Sequence, residues 1–227
     1  MNGAAVMWSI PSKTFLVGEY SVLEHGEACI ICTAPYFSLK TKQGQRLAEL
    51  QGPIESFLAD YWPKNQTWDW TDPHQSQGGF GASSAAFALS LLITQGEDIN
   101  HQRAFQTFQS YHPHPKPSGA DLLAQLTGGI SLVNTHTQQT ESLRTWPFES
   151  LGFLIARTGF KCPTHEALSH FQPRNLDRLN LLTQLAIRAL KNNDPSSFVI
   201  TIQEHQQALM KAEYTHPDTL DHLAWIN

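Results

Sequence analysis

Residues 75–92 read QSQGGFGASSAAFALSLL, a glycine-rich turn that runs without interruption into an apolar helix. Gly78, Gly79 and Gly81 allow close backbone approach and positive φ, and Ser83 and Ser84 stand where the helix begins. Four N–H groups at a helix start have no partner inside the helix, and the aligned peptide dipoles add positive charge there, so a phosphate fits such a turn. From Ala85 onward alanine and leucine favour helix, and Ala85, Leu89 and Leu92 share one face, which predicts a helix packed on one side. A glycine turn that merely caps a core helix would have the same composition, so other stretches have to separate the two.

With 227 residues and 41% hydrophobic content, the chain suffices for one large domain or two smaller ones sharing a cleft. The net charge is −5 and no run of Lys or Arg has the length of a nucleic-acid arm. That argues against a nucleic-acid partner and leaves room for a small anionic ligand. The apolar runs at 85–93 and 151–156 are too short to cross a bilayer, and no basic region followed by an apolar one opens the chain. The expectation is a cytoplasmic protein without a membrane partner, compatible with a homodimer. Three cysteines, Cys29, Cys32 and Cys162, are too few for a disulfide scaffold. Cys29 and Cys32 have the spacing of a redox pair, but they lie in an apolar β-branched run, where residues three apart face opposite sides of a strand.

In chain order, residues 8–17 suggest a short strand, a bend and a second apolar segment, ending at Gly18-Glu19-Tyr20. Residues 27–42 suggest one or two strands with a break near Pro35. A short helix at 54–62 and a strand at 66–71 follow, with Trp68 and Trp70 on one face as core residues. Asn100 is the N-cap of a helix at 102–111 that stops at His112-Pro113-His114-Pro115-Lys116-Pro117. Three alternating prolines forbid helix and stiffen the approach to Ser118-Gly119-Ala120-Asp121. Residues 122–126 are helical, and Gly128-Gly129 stop them before a strand at 130–134. A further strand spans 151–158, helices start at Thr164, Asn175 and Asp194, and apolar periodicity marks helices at 179–190, 198–209 and 217–226. This is an α+β pattern, with one domain at 1–149 and a second, beginning afresh with a strand, at 150–227. His74, His112 and His114 lack the ligand spacing of a zinc motif.

Three segments, in this order, resemble the GHMP small-molecule kinases, the family of galactokinase, homoserine kinase, mevalonate kinase and phosphomevalonate kinase. They are Pro11-Ser12-Lys13 through Gly18-Glu19-Tyr20-Ser21-Val22-Leu23, then Gly79-Phe80-Gly81-Ala82-Ser83-Ser84-Ala85-Ala86, then Pro117-Ser118-Gly119-Ala120-Asp121 with Gly128-Gly129. Gly-Glu-Tyr followed by Val-Leu is more similar to the mevalonate-pathway members than to galactokinases. The resemblance implies a two-lobed fold, ATP and Mg²⁺ as cofactors, and a small hydroxy acid, mevalonate or alternatively phosphomevalonate, as substrate. It implies that Gly78, Gly79, Gly81, Ala82, Ser83 and Ser84 wrap the triphosphate, with Ser83 or Ser84 at Mg²⁺. It assigns the substrate hydroxyl to Asp121 and Lys13, and puts Glu19, Tyr20, His25, Ser118, Lys161 and Thr164 near the substrate. A carboxylate can take an alcohol's proton while a lysine steadies the charge, and positioning does much of the rest in phosphoryl transfer. Judged from the residues alone, the alternatives are that Asp121 caps the following helix and that Lys13 is a solvated lysine at a strand end.

The chain also departs from the family pattern. Ser12 stands where a glycine usually precedes the motif lysine, and Ala82 enters the phosphate loop, which therefore aligns on its glycines or on its paired serines but not on both. Mevalonate kinases carry a Mg²⁺-binding glutamate upstream of the aspartate, where this chain has Ser110 with Gln109 beside it. A third glycine-rich motif, expected in the C-terminal half, does not occur before Asn227. The C-terminal lobe thus reads as incomplete, which leads to the expectation that the native gene continues past Asn227. A binding protein that kept the fold without turnover is the alternative.

Overall fold

The computed structural model describes residues 7–43, 53–62, 66–156 and 176–215. Strands β1 (Met7–Val17) and β2 (Glu27–Gln43) form an antiparallel spine, joined through a 3-10 turn at Ser21–Glu24. Each is one continuous strand, so neither the bend expected in the first nor the break expected at Pro35 interrupts it. The irregularity becomes a slip in pairing instead: Pro11 lies opposite Tyr36, but Ser12 lies opposite Thr33. Proline has no N–H to give a ladder, and a bulge is where a sheet tolerates one. The other edge of β2 is divided. Strand β3 (Gln66–Thr71) pairs with its C-terminal part, β4 (Ile130–Asn134) with its N-terminal part, and β5 (Gln139–Leu143) lies beyond β4.

Helices α1 (Pro53–Tyr61), α2 (Ala82–Gln95), α3 (His101–Tyr111) and α4 (Ala120–Thr127) cover one face of the sheet. Helices α5 (Leu176–Lys191) and α6 (Pro195–Lys211) serve the other. Strand alternation divides the side chains between the layers. Ala28 and Ile30 meet Ala120, Leu123 and Ala124 of α4, whereas Cys29 and Ile31 meet Ala186, Ile187, Leu190 and Phe198 of α5 and α6. Each large aliphatic side chain buried this way contributes about 1.5–3 kcal/mol. The same alternation puts Cys29 and Cys32 against different layers, and both thiols are free. Burial pushes both up to about 12, which suits neither redox exchange nor metal binding.

Several sequence expectations change in the structure. Helix α2 is buried continuously over residues 84–91 rather than along one face, because the sheet, α1, α3 and α4 surround it. Strand β5 has no apolar signal, since its side chains are largely exposed at the sheet edge. Residues 151–156 are not a strand: no strand among the described residues lies beside them, and Phe153 and Leu154 face solvent. The remainder of that expected strand, the helix starts at Thr164 and Asn175 and the last expected helix lie outside the described residues. The caps at Asn100 and Asp194 form as the sequence predicts, accepting from the backbone N–H of Arg103 at 2.9 Å and of Ser197 at 3.0 Å.

Candidate active site

Lys13 lies in mid-strand opposite Cys32, not at a strand end, and only 7% of its surface is exposed. A buried ammonium needs a partner. Its Nζ is 2.9 Å from Asp121 Oδ2 and 4.6 Å from the centre of the Phe15 ring. The Lys13 backbone N–H donates to the carbonyl of Phe80 at 3.1 Å, which ties the glycine loop to β1. Gly81 rests on the lysine stem with φ of +83°. A Cβ there would stand 2.8 Å from Lys13 Cγ and 3.0 Å from Gln125 Nε2, so only glycine fits.

Asp121 is placed by the start of α4. The helix is capped by Gly119, whose φ of +72° puts its backbone against Phe105; a Cβ would come within 2.6 Å of that ring. Asp121 therefore sits inside the first turn and is not the cap. Its Oδ2 meets Lys13, while its Oδ1 is buried and has no hydrogen-bond partner among the described residues. Such an oxygen costs free energy until a donor reaches it. The Gln109 side chain donates to the Pro117 carbonyl and so holds the segment leading into α4. Ser118 Oγ accepts from the Ala120 N–H at 3.4 Å, and the exposed Ser110 donates to the Thr107 carbonyl at 2.7 Å.

The helices flanking this pair, α2 and α4, both start from a left-handed glycine with no side-chain cap, unlike α3 and α6. In α2 the first helical bond runs from Ala85 N–H to Gly81 O, which leaves the amides of Ala82, Ser83 and Ser84 without a partner inside the helix. Gly79 has φ of +92° and open space where a Cβ would lie, and Gly78 precedes it half-buried. The two serines divide. Ser83 is exposed, whereas Ser84 turns inward and donates to Gln125 Oε1 at 2.7 Å, with the Gly81 carbonyl at 3.1 Å. Gln125 also donates to the Pro11 carbonyl at 2.9 Å, so one buried amide joins β1, the loop and α4. Sequence reading missed Gln125; a lone polar residue on the apolar face of α4 was the available signal. It missed equally that Ser12 Oγ is 2.6 Å from His74 Nε2, and that the His74 ring stacks on Phe80 at 4.0 Å.

Other expected residues are distributed unevenly. Glu19 is exposed in the turn after β1; crowding by nearby protein raises its carboxyl, and Lys13 pulls it the other way. Tyr20 stacks on Tyr214 at 4.2 Å and its hydroxyl donates to the Tyr214 carbonyl at 3.1 Å, which ties the turn after β1 to the end of α6. His25 is an exposed turn residue with φ of 61°, its ring 6.1 Å from His136. Lys13 faces Cys32, and β2 begins five residues before that at Glu27, about 17 Å away along the strand, so His25 is not brought to the Lys13–Asp121 pair. Lys161 and Thr164 lie outside the described residues. Among the described residues no three His, Cys, Asp or Glu side chains form a group that could hold a metal, and no helix is long and apolar enough to cross a membrane.

No family model and no curated protein sequence matches the chain. Solved structures do. Phosphomevalonate kinase of Streptococcus pneumoniae aligns with a TM-score of 0.67 at 12% identity, covering 94% of this chain and 82% of that one. Mevalonate kinase of Methanococcus jannaschii gives 0.64 at 15% identity, over 96% and 82%. Galactokinase of Lactococcus lactis gives 0.59 at 10% identity, over 95% and 77%. The pneumococcal enzyme has also been solved in complex with phosphomevalonate and AMPPNP. These likenesses, spread over nearly the whole chain, identify its architecture as the α+β fold of the GHMP kinases.

Proposed function

We propose that the protein is an ATP- and Mg²⁺-dependent kinase that phosphorylates the hydroxyl of a small hydroxy acid, with mevalonate as the acceptor. The observation that carries this reading is the state of Asp121: one carboxylate oxygen is held by Lys13, whose stem lies against Gly81 at the start of α2, and the other is buried without a partner among the described residues. A substrate hydroxyl donating to Oδ1 fills that need. As the acceptor oxygen forms its bond to the γ-phosphorus, the hydroxyl proton passes to Oδ1, the bond from the γ-phosphorus to the β–γ bridging oxygen breaks, and ADP leaves. Lys13 steadies the carboxylate before the transfer and the alkoxide-like oxygen during it. The amides of Ala82, Ser83 and Ser84 and the open backbone at Gly79 suit the triphosphate.

Among the described residues no carboxylate cage for a metal forms, which fits Mg²⁺ brought in on the nucleotide, the usual habit of this ion. Ser83, the outward-facing hydroxyl, would touch it, and the ion would neutralise charge on the γ-phosphoryl group. Mevalonate is favoured over phosphomevalonate because the phosphate that phosphomevalonate already carries asks for more cations. Lys40 on β2 is exposed eight residues from Cys32, roughly 27 Å away along the strand.

The test is ADP release with ATP, Mg²⁺ and either mevalonate or phosphomevalonate, repeated with Asp121→Asn. Turnover should appear with mevalonate and fall by about two to four orders of magnitude in the variant, with AMPPNP binding little changed. Turnover of Asp121→Asn within tenfold of wild type would remove Asp121 as the base. Nucleotide binding without turnover on either acceptor would favour the binding-protein reading.

A further inference from the structure

Ser12 and His74 form a buried polar pair beside the glycine loop, 1% and 3% exposed and 62 positions apart in the chain. Ser12 Oγ donates its one proton to the Pro35 carbonyl at 2.5 Å, so its 2.6 Å contact with His74 Nε2 is a bond donated by the imidazole. The ring so fixed lies parallel to Phe80, 4.0 Å away with 7° between planes. The backbone that carries the ring is held too: the Asp72 carboxylate accepts from the N–H groups of His74 and Ser76, each at 2.8 Å. Phe80 is also the residue whose carbonyl accepts from Lys13 N–H.

Two consecutive residues of β1 therefore grip the same loop residue, Ser12 through the imidazole against its ring and Lys13 through its backbone. We propose that the Ser12–His74 bond is a positioning latch: it holds Phe80, and with it the amides of residues 78–84, at a set distance from Lys13 before any nucleotide arrives. It rests on the kinase reading only for its consequence, that the preset loop lowers the cost of binding the triphosphate. Neither residue touches substrate; both act through Phe80.

The experiment uses the full chain with Ser12→Ala, His74→Phe and the double variant. Hydrogen exchange without ligand should show the amides of residues 78–84 exchanging about tenfold faster in each single variant, with those of β4 and α4 unchanged. KM for ATP should rise by a similar factor while KM for the acceptor stays within twofold. The double variant should be no worse than either single one, because both residues serve one bond and removing both partners leaves no stranded donor. The single variants reach the same bond from opposite ends, so either suffices if the other does not fold. Unchanged loop exchange, or equal acceleration in β4 and α4, overturns the latch. If wild type binds no AMPPNP, the kinase reading falls while the exchange result still decides the latch.

Discussion

A methyl group added at residue 81 would have nowhere to go. Gly81→Ala must move the Lys13 side chain and hold a left-handed backbone that costs about 1–2 kcal/mol for an L residue. The expected outcome is a fall in turnover of about a hundredfold or more with a modest loss of melting temperature; kinetics and a thermal melt on the same preparation check it, and full activity would mean that the lysine stem need not lie where it does. At this scale the sequence pointed to residues through short motifs. Lys13 and Asp121 were picked out by their resemblance to the family's first and third segments, and the structure brings their side chains to 2.9 Å from each other. Ser12–His74 and Gln125–Ser84 were not, because a side-chain pairing across tens of residues leaves no pattern in either stretch. The choice between Ser83 and Ser84 was equally out of reach, since only the position of Gln125 shows which hydroxyl turns inward.

Elements with a period or a cap were readable in the same way. Helices α3, α5 and α6 follow their apolar spacing, and Asn100 and Asp194 mark two of their starts. Strand β5 escaped because an exposed edge needs no apolar alternation, and β1 and β2 came out unbroken because a bulge absorbed both prolines. Helix α6 also carries a pH dependence. Burial lowers the His205 imidazole to about 4, below its usual 6.5 in an unfolded chain. The folded state thus binds fewer protons between those values, so the stability it contributes is present above about pH 6.5 and is lost as pH falls toward 4, on the order of 3 kcal/mol in all. His101 and His112, also lowered by burial, act in the same direction. Urea midpoints at pH 7.5 and pH 5 should differ clearly in wild type and much less in His205→Leu; equal differences would show that the imidazole is not the sensor.

For the molecule as a whole, the boundary placed at Glu149 crosses a shared core. Val17, Cys29, Ile31, Ile130 and Leu132 from the sheet pack with Ala186, Ile187, Leu190 and Phe198 from α5 and α6. The two parts should therefore unfold together. Leu190→Ala should cost about 2–5 kcal/mol and lower the hydrogen-exchange protection of β4 as much as that of α5. Loss confined to α5 and α6 would make the sheet with α1 to α4 an independent unit.

The divided edge of β2 has a further consequence, for the order in which the chain acquires its chemistry. Ile31 pairs with Ile130, and Cys32 N–H with the Gly129 carbonyl, so the strand that carries Lys13 through its partner and the helix that carries Asp121 meet only when the two ends of a very long loop close. Contacts of that range form slowly and late compared with local ones. A chain leaving the ribosome holds a lysine and a glycine loop well before it holds a carboxylate beside them. Until Ile130–Asn134 has emerged and docked, the lysine ammonium has no carboxylate to meet, so this charge pair is among the last features of the fold to close.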